Sequence, residues 1–145
     1  MTMRWAVFVL ATAALSTTAC TAQARSPEPV PIDRVECARC RMLISSERGT
    51  GEIVSPTDDT RFYDDVACLA ADWVQHPDRT VAFVRLATGP WSAARTAWYA
   101  RPEGSRTAMG SGLVAFASEA EARAADRAHR ALRFDEIIQR AGEPQ

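Results

Sequence analysis

The chain has 145 residues, of which 47% are hydrophobic and 24% are charged, and its formal net charge is −1. This length suits one domain with a single core and excludes a large multidomain enzyme. All 17 basic residues are arginine, and they are scattered among 18 acidic residues. A nucleic-acid-binding surface needs a clustered excess of positive charge, so no nucleic-acid partner is expected.

The first twenty residues have the three parts of an export signal. Arg4 supplies a positive start, residues 5–15 form an apolar run too short to span a membrane, and small residues lead to Cys20. The sequence TTAC at residues 17–20 is similar to a bacterial lipobox, although Thr17 stands where leucine is usual. AQA at residues 22–24 would instead suit ordinary signal peptidase. We predict an exported protein with lipid attached at Cys20.

Residues 21–33 are polar and rich in proline. Such composition is typical of an extended linker, because it lacks apolar periodicity and cannot contribute much to a core. We therefore predict a flexible tether at residues 21–33 between a membrane anchor and a folded domain at residues 34–145. The tether would hold the domain close to the membrane surface.

The domain shows the same order of predicted elements twice. In the first half, strands around Ile53 and Phe62 precede a helix through VACLAADWVQH, which Asp64 or Asp65 caps, and residues 81–86 form a strand. In the second half, SAARTAWYA and SGLVAFA predict strands.

The rest of the second half repeats the order of the first. Ser118 caps a helix through EAEARAADRAHRAL, and RFDEIIQR forms a short strand or a helical turn. This repetition suggests an internal duplication. We predict an α+β fold of two ββαβ halves, with antiparallel sheets each covered by a helix.

The segment CARCRM at residues 37–42 suits two kinds of chemistry. Cys37 and Cys40 have the spacing of a redox pair, but the helix and βαβ pattern expected around such a pair are missing from the sequence. Structural zinc would need a second pair of ligands at suitable spacing. Cys40 and Met42 would lie side by side in an extended chain, and a thiolate with a thioether favours Cu(I). Met42 could instead begin a core-packed MLI run.

Other soft or titratable side chains have simpler explanations. Met109 lies in a glycine-rich segment before a predicted strand, and it is either an exposed loop residue or a ligand. Its place is roughly comparable to that of Met42, which precedes a strand of the first half. Cys68 lies in a predicted helix, where burial is the commonest fate of a cysteine. His76 is expected to end that helix, and His129 to lie on a solvated one. No phosphate loop or nucleophile motif is found, so catalysis is not expected.

Three motifs together resemble the NosL family of nitrous oxide reductase accessory lipoproteins. They are CxxCxM at residues 37–42, FYDDVACLAADW in the middle, and AMGSGLVAF followed by an alanine-rich helix. The resemblance covers the chain from about Glu36 to its end. In this sequence Arg41 stands where the family commonly has glycine, and Ala108 where proline often precedes the methionine.

The resemblance implies a copper chaperone anchored at the periplasmic face of a membrane. It implies Cu(I) as cargo, with Cys40, Met42 and Met109 as ligands by position. Three roles stay open for Cys37, which are a spare thiol, a fourth ligand and one half of a disulfide with Cys40, and we favour an auxiliary thiol that protects or exchanges copper. The expected partner is a copper-accepting periplasmic protein or maturation complex, with nitrous oxide reductase as the client. Two alternatives stay open: a thiol–disulfide oxidoreductase using Cys37 and Cys40, and a structural lipoprotein whose cysteines only pack.

Overall fold

The computed structural model describes residues 25–55, 59–75 and 81–142, which form seven strands and three helices. In chain order these are β1 Gly51–Val54, β2 Arg61–Tyr63, α1 Val66–Trp73, β3 Val81–Arg85, β4 Trp91–Ala93, β5 Trp98–Ala100, β6 Val114–Phe116, α2 Glu119–Ala125, β7 Leu132–Arg133 and α3 Phe134–Gly142. The predicted export signal, Cys20 and His76 lie outside the described residues. Within the described ranges, no helix is both long and apolar enough to cross a membrane.

The strand order shows the duplication directly. The first sheet has the order β2-β1-β3-β4 and the second has the order β6-β5-β7, and their strands pair antiparallel. When β1 is equated with β5, β2 with β6 and β3 with β7, the two halves have the same arrangement. Each half also inserts one helix before its third strand. The predicted α+β fold of two ββαβ halves is therefore confirmed, with β4 and α3 as additions.

The segment SAARTAWYA is not one strand as predicted. Its middle forms a turn between β4 and β5, in which the Thr96 and Ala97 N–H groups both donate to the carbonyl of Ala93, at 3.0 and 3.2 Å. The Tyr99 hydroxyl donates to the carbonyl of Ala94 at 2.8 Å and holds the turn against the core. A propensity pattern cannot detect this turn, because the contact that fixes it comes from a side chain five residues away.

The predicted end of the second helix was also wrong. Helix α2 ends at Ala125, because Asp126 adopts an extended backbone and its carboxylate accepts a hydrogen bond from Ala128 N–H at 2.7 Å. The last segment is a helix of nine residues, α3, rather than a short strand or a single turn. Its inward face carries Phe134 and Ile137, which are both buried. Tertiary packing of this face supplies the stability that so short a helix lacks by itself.

One core joins the two halves. The Phe134 ring of α3 lies between Trp73 of α1 and Tyr99 of β5, with ring centroids 6.2 and 6.0 Å apart. Helix α1 also packs closely on the first sheet at Gly51, where an added Cβ would lie 2.7 Å from Leu69 Cδ2. Glycine at this position therefore allows the close approach of helix and sheet.

Packing begins before residue 34, the predicted start of the domain. Val30 is only 6% exposed and belongs to the core. The Glu28 N–H donates to Glu52 Oε1 at 2.9 Å, which ties this segment to β1. The end of the predicted tether is thus packed against the domain, where burial of the apolar Val30 side chain is favourable.

Glu52 is a carboxylic acid buried in the middle of β1. It has no exposed surface, and its Oε2 has no hydrogen-bond partner among the described residues. Burial raises the pKa of Glu52 to about 7, because the charged form is poorly solvated there. Folding therefore favours the protonated acid.

The pH dependence of the free energy of unfolding should reveal the raised pKa of Glu52. Because the pKa of Glu52 is raised on folding, its stabilising contribution is complete at acid pH and is lost as pH rises through about 7. We expect Glu52→Gln to be more stable than wild type at about pH 8 by roughly 1–3 kcal/mol, and to lose this advantage near pH 5. Urea unfolding of both proteins across this range measures the difference. A constant difference would contradict the assignment.

Candidate metal centre

Three cysteines and one aspartate meet where the first half of the domain contacts the loop before it. Cys37, Cys40, Asp64 and Cys68 each offer one ligand atom, and these atoms all lie within 4.8 Å of one another. Cys37 and Cys40 come from the loop before β1, Asp64 follows β2, and Cys68 lies on α1. All three cysteines are free thiols, so the group has the composition of a soft-metal site.

The loop at residues 37–42 is tightly folded rather than extended. Cys37 N–H donates to the Met42 carbonyl at 2.8 Å, and Arg41 N–H donates to the Cys37 carbonyl at 3.0 Å. Arg41 has φ of 67°, in the left-handed region that favours glycine. Cys40 and Met42 therefore do not lie side by side on a strand, as the spacing argument supposed. The Cys40 thiol turns inward and donates to both Asp64 carboxylate oxygens at 3.5 Å.

The thiols of this cluster have different proton affinities. The Cys68 thiol donates a hydrogen bond to Cys37, and backbone N–H groups of Cys40, Asp64 and Arg39 also point at it, so the pKa of Cys37 lies below its usual value. The same contact raises the pKa of Cys68, and burial raises the pKa of Cys40. Burial also raises the pKa of Asp64 to about 6. The lowered pKa of Cys37 favours its thiolate, and this negative charge attracts a cation.

Asp65 anchors the segment that carries Met109. As the N-cap of α1, Asp65 accepts from Ala67 N–H at 2.8 Å, and this confirms it as the predicted cap. Its carboxylate also accepts from Thr107 Oγ1 and Ser111 Oγ, both at 2.6 Å, and from Met109 N–H at 3.1 Å. One buried carboxylate therefore holds both ends of this glycine-rich turn.

An open groove lies beside the cluster. Met42 and Asp64 line it together with residues 106–108 of the segment that Asp65 holds. Met42 is 41% exposed and Met109 is 51% exposed. Of the predicted ligands, Cys37 and Cys40 belong to the cluster, Met42 lines the groove, and Met109 lies in the adjoining turn. Met42 precedes β1 and Met109 lies between β5 and β6, so they are not equivalent in the duplication.

Two members of the cluster were not predicted as ligands. Cys68 was expected to be a buried helical cysteine and Asp64 a turn or cap residue. Both lie in FYDDVACL. Their closeness to the cysteines of CARCRM depends on a contact in which Ala38 N–H donates to the Phe62 carbonyl at 2.8 Å. His129 lies elsewhere, where its ring contacts the Arg123 carbonyl at 3.1 Å. A cysteine at the first turn of the helix after β2 was the available signal, but without the fold it could not be distinguished from a core residue.

The fold and the site define an α+β protein with a duplicated ββαβ unit and a cysteine cluster that could hold a metal ion. The family model described as NosL matches residues 29–141, and the chain belongs to the NosL family. The crystal structure of the copper chaperone NosL from Shewanella denitrificans is similar, with 24% sequence identity and a TM-score of 0.65. That match covers 80% of this chain and 99% of the other, and it establishes the shared fold. A comparison with curated proteins found no match.

The backbone at Arg41 gives a test of the loop geometry. The Arg41 guanidinium pairs with Glu36 at 2.9 Å and faces solvent, so its side chain is not needed inside the loop. We expect Arg41→Gly to change the free energy of unfolding by less than about 0.5 kcal/mol, because relief of strain is offset by a more flexible unfolded chain. Arg41→Val should cost about 1–2 kcal/mol. Equal effects in denaturant unfolding would show that residue 41 is not left-handed.

Asp65 should matter more to stability than an ordinary helix cap. We expect Asp65→Ala to lower the free energy of unfolding by about 2–4 kcal/mol, because it removes the cap and leaves the Met109 turn without its acceptor. Ser118→Ala is the matched control, since Ser118 caps α2 by accepting from Glu121 N–H at 3.2 Å. That change should cost about 1 kcal/mol. Similar costs for the two variants in urea unfolding would mean that Asp65 acts as a cap alone.

Proposed function

We propose that this protein is an exported metallochaperone that binds Cu(I) and passes it to a copper-accepting protein. The observation that carries the proposal is the cluster of three free thiols and one carboxylate, whose ligand atoms lie within 4.8 Å of one another. Thiolates are soft ligands, and they select Cu(I) over harder divalent ions. The crystallised Shewanella denitrificans relative is named a copper chaperone, which supports the same cargo.

The exposure of the candidate ligands suits delivery. Cys40 is half-buried, and its thiol is 3.5 Å from the carboxylate of Asp64, which lines the groove together with Met42. Both methionines are largely exposed, so a ligand from a partner can approach copper at this side. Thioethers are neutral ligands that can be exchanged without moving a proton. The protein therefore acts by binding and ligand exchange, and copper keeps its oxidation state throughout.

The groove also indicates the kind of partner. Arg48 and Arg106 line it and are exposed, and Asp64 is the one acidic residue among the described residues of its lining, so the groove beside Met42 carries a net positive charge. Complementary charge speeds association and orients the two proteins. We propose an acidic copper acceptor, with nitrous oxide reductase or its maturation complex as the recipient that the family resemblance implies. Lipid attached at Cys20 would keep the chaperone at the periplasmic face of a membrane.

The alternative of a thiol–disulfide oxidoreductase has less support. Cys37 has no exposed surface, so a substrate disulfide could not reach its sulfur. Cys40 is accessible, but burial raises the pKa of its thiol, and the thiolate is the nucleophile in disulfide exchange. The more exposed thiol is thus the less reactive one, which is the reverse of what such an enzyme requires.

Cu(I) titration tests the proposed function. The reduced chain that follows Cys20, titrated with Cu(I) against a competing chelator, should bind one tight equivalent. Cys40→Ala should weaken binding by at least about a hundredfold, since loss of an outer-shell partner alone costs ten- to a hundredfold. Met42→Leu and Met109→Leu should each have a smaller effect, because a thioether carries no charge.

Leu43 provides a matched control for this titration. It neighbours Met42 and is 53% exposed, but it has no donor atom. Leu43→Ala should therefore leave the Cu(I) affinity unchanged. If Cys40→Ala binds Cu(I) as tightly as wild type, the proposed copper site is wrong.

A further inference from the structure

The three thiols of the cluster are arranged for a metal position of their own. In a trigonal site with metal–sulfur bonds near 2.3 Å, the sulfurs lie about 4 Å apart. The Cys37, Cys40 and Cys68 sulfurs all lie within 4.8 Å of one another, so a shift of under about 1 Å closes such a site around an ion. Cys68 has no part in the ligand set that the family resemblance implies.

We propose that Cys37, Cys40 and Cys68 form an inner copper position, separate from an outer position made by Cys40, Met42 and Met109. This inner position rests on the proposed copper-binding function, and it specifies which ligands hold the ion. Copper is stored at the inner position and moves to the outer one for delivery. Cys40 belongs to both positions, so the ion never has to leave the protein during this movement.

Burial separates the two positions. Cys37 is 0% exposed and Cys68 is 5% exposed, whereas Met42 and Met109 are 41% and 51% exposed. An ion held by the three thiolates is therefore shielded from solvent and from competing ligands. An ion held by the methionines lies among exposed side chains, where an acceptor can reach it.

The inner ligands are also held in place before an ion binds. Cys68 lies on α1, whose first turn is capped by Asp65. The loop of Cys37 is pinned to β2 by the Ala38 N–H bond to the Phe62 carbonyl, and it is closed by the Cys37 N–H bond to the Met42 carbonyl. Ligands fixed in advance bind with a smaller loss of conformational freedom. Together with the burial of Cys37 and Cys68, this favours the inner position when no partner is bound.

The transfer balances without a redox step. When Cu⁺ binds at the inner position, three Cu–S bonds form, and each ligand that was a thiol loses the proton of its S–H bond. The released protons pass to water at the groove, and Asp64, 3.5 Å from Cys40 Sγ, is placed to relay one of them. When the ion moves to the outer position, its bonds to the Cys37 and Cys68 sulfurs break and two bonds to the methionine thioethers form. The cysteines that lost a proton on binding copper are then protonated again. Copper stays Cu(I) in both positions.

Selenomethionine labelling can distinguish the two positions. Met42 and Met109 are the only methionines after the predicted export signal, so labelled protein carries selenium only at the outer position. Copper X-ray absorption of the labelled chain, loaded with one equivalent of Cu(I), should show three sulfur neighbours and no selenium. Cys68→Ala should bring selenium into the copper shell. Selenium around copper in the unsubstituted protein would overturn the inner position.

Affinity measurements provide a second test with its own control. Cys68→Ala and the volume-conserving Cys68→Val should both lower Cu(I) affinity by at least about a hundredfold. The double variant Met42→Leu with Met109→Leu should keep one tight equivalent, within about tenfold of wild type. Circular dichroism and thermal unfolding establish that each variant is folded.

Different results would contradict the inner copper position and the copper-binding function. If wild type binds copper and loses none of its affinity in either Cys68 variant, the inner position is wrong while the chaperone function stands. The same holds if the double methionine variant no longer binds copper. If wild type binds no Cu(I) tightly, the proposed function itself fails.

Discussion

Two adjacent aspartates after β2 organise both the fold around the site and the site itself. The Asp64 carboxylate accepts from the Cys40 thiol, and the Asp65 carboxylate caps α1 and holds the turn that carries Met109. The loop before the first half and a turn of the second half are thus attached to the same two residues. Asp65 is completely buried, and four donors satisfy the hydrogen-bonding capacity of its carboxylate there.

The duplication explains how one site can draw on both halves. Each half repeats the strand order and places a capped helix after its second strand, but only the first helix begins with an aspartate. The equivalent cap of the second half, Ser118, accepts from its own helix at Glu121 N–H. A carboxylate has more acceptor sites than a hydroxyl, so Asp65 can cap its helix and still bind a segment of the other half. Of these two capped helices, only the first therefore holds a segment of the other half through its cap.

The site combines a rigid interior with an open edge. The buried thiols and the N–H groups around Cys37 lie between packed elements, whereas the methionines lie on exposed segments. A carrier of a toxic soft ion needs both properties, since tight retention requires desolvated, prearranged ligands and release requires ligands that a partner can replace. Arg41 fits the same description, because its backbone is left-handed within the closed loop while its side chain points to solvent.

Much of this could be predicted from local patterns. The repeated order of strands and capped helix, the caps Asp65 and Ser118, and the soft-ligand segment CARCRM are all local features of the sequence, set by periodicity, capping chemistry and side-chain softness. The turn between β4 and β5 and the end of α2 depend on hydrogen bonds between residues at most five positions apart, which propensities do not reveal. The helical nature of α3 depends on the burial of Phe134 and Ile137 against other elements. Local propensity is too weak to compete with such packing.

The metal site likewise has features that the local sequence sets and features that the tertiary structure sets. The sequence by itself determined which side chains are soft ligands and the family to which the chain belongs, because these depend on residue identity and order. Only the tertiary structure decided that Cys68 and Asp64 join Cys37 and Cys40, since that meeting requires the loop at residues 37–42 to dock on β2 beside the start of α1. A cysteine that looked like ordinary helix packing thereby became a candidate ligand. Ligand identity is a local property, whereas a metal site is a set of distances, and distances between segments far apart in the chain are set by the fold.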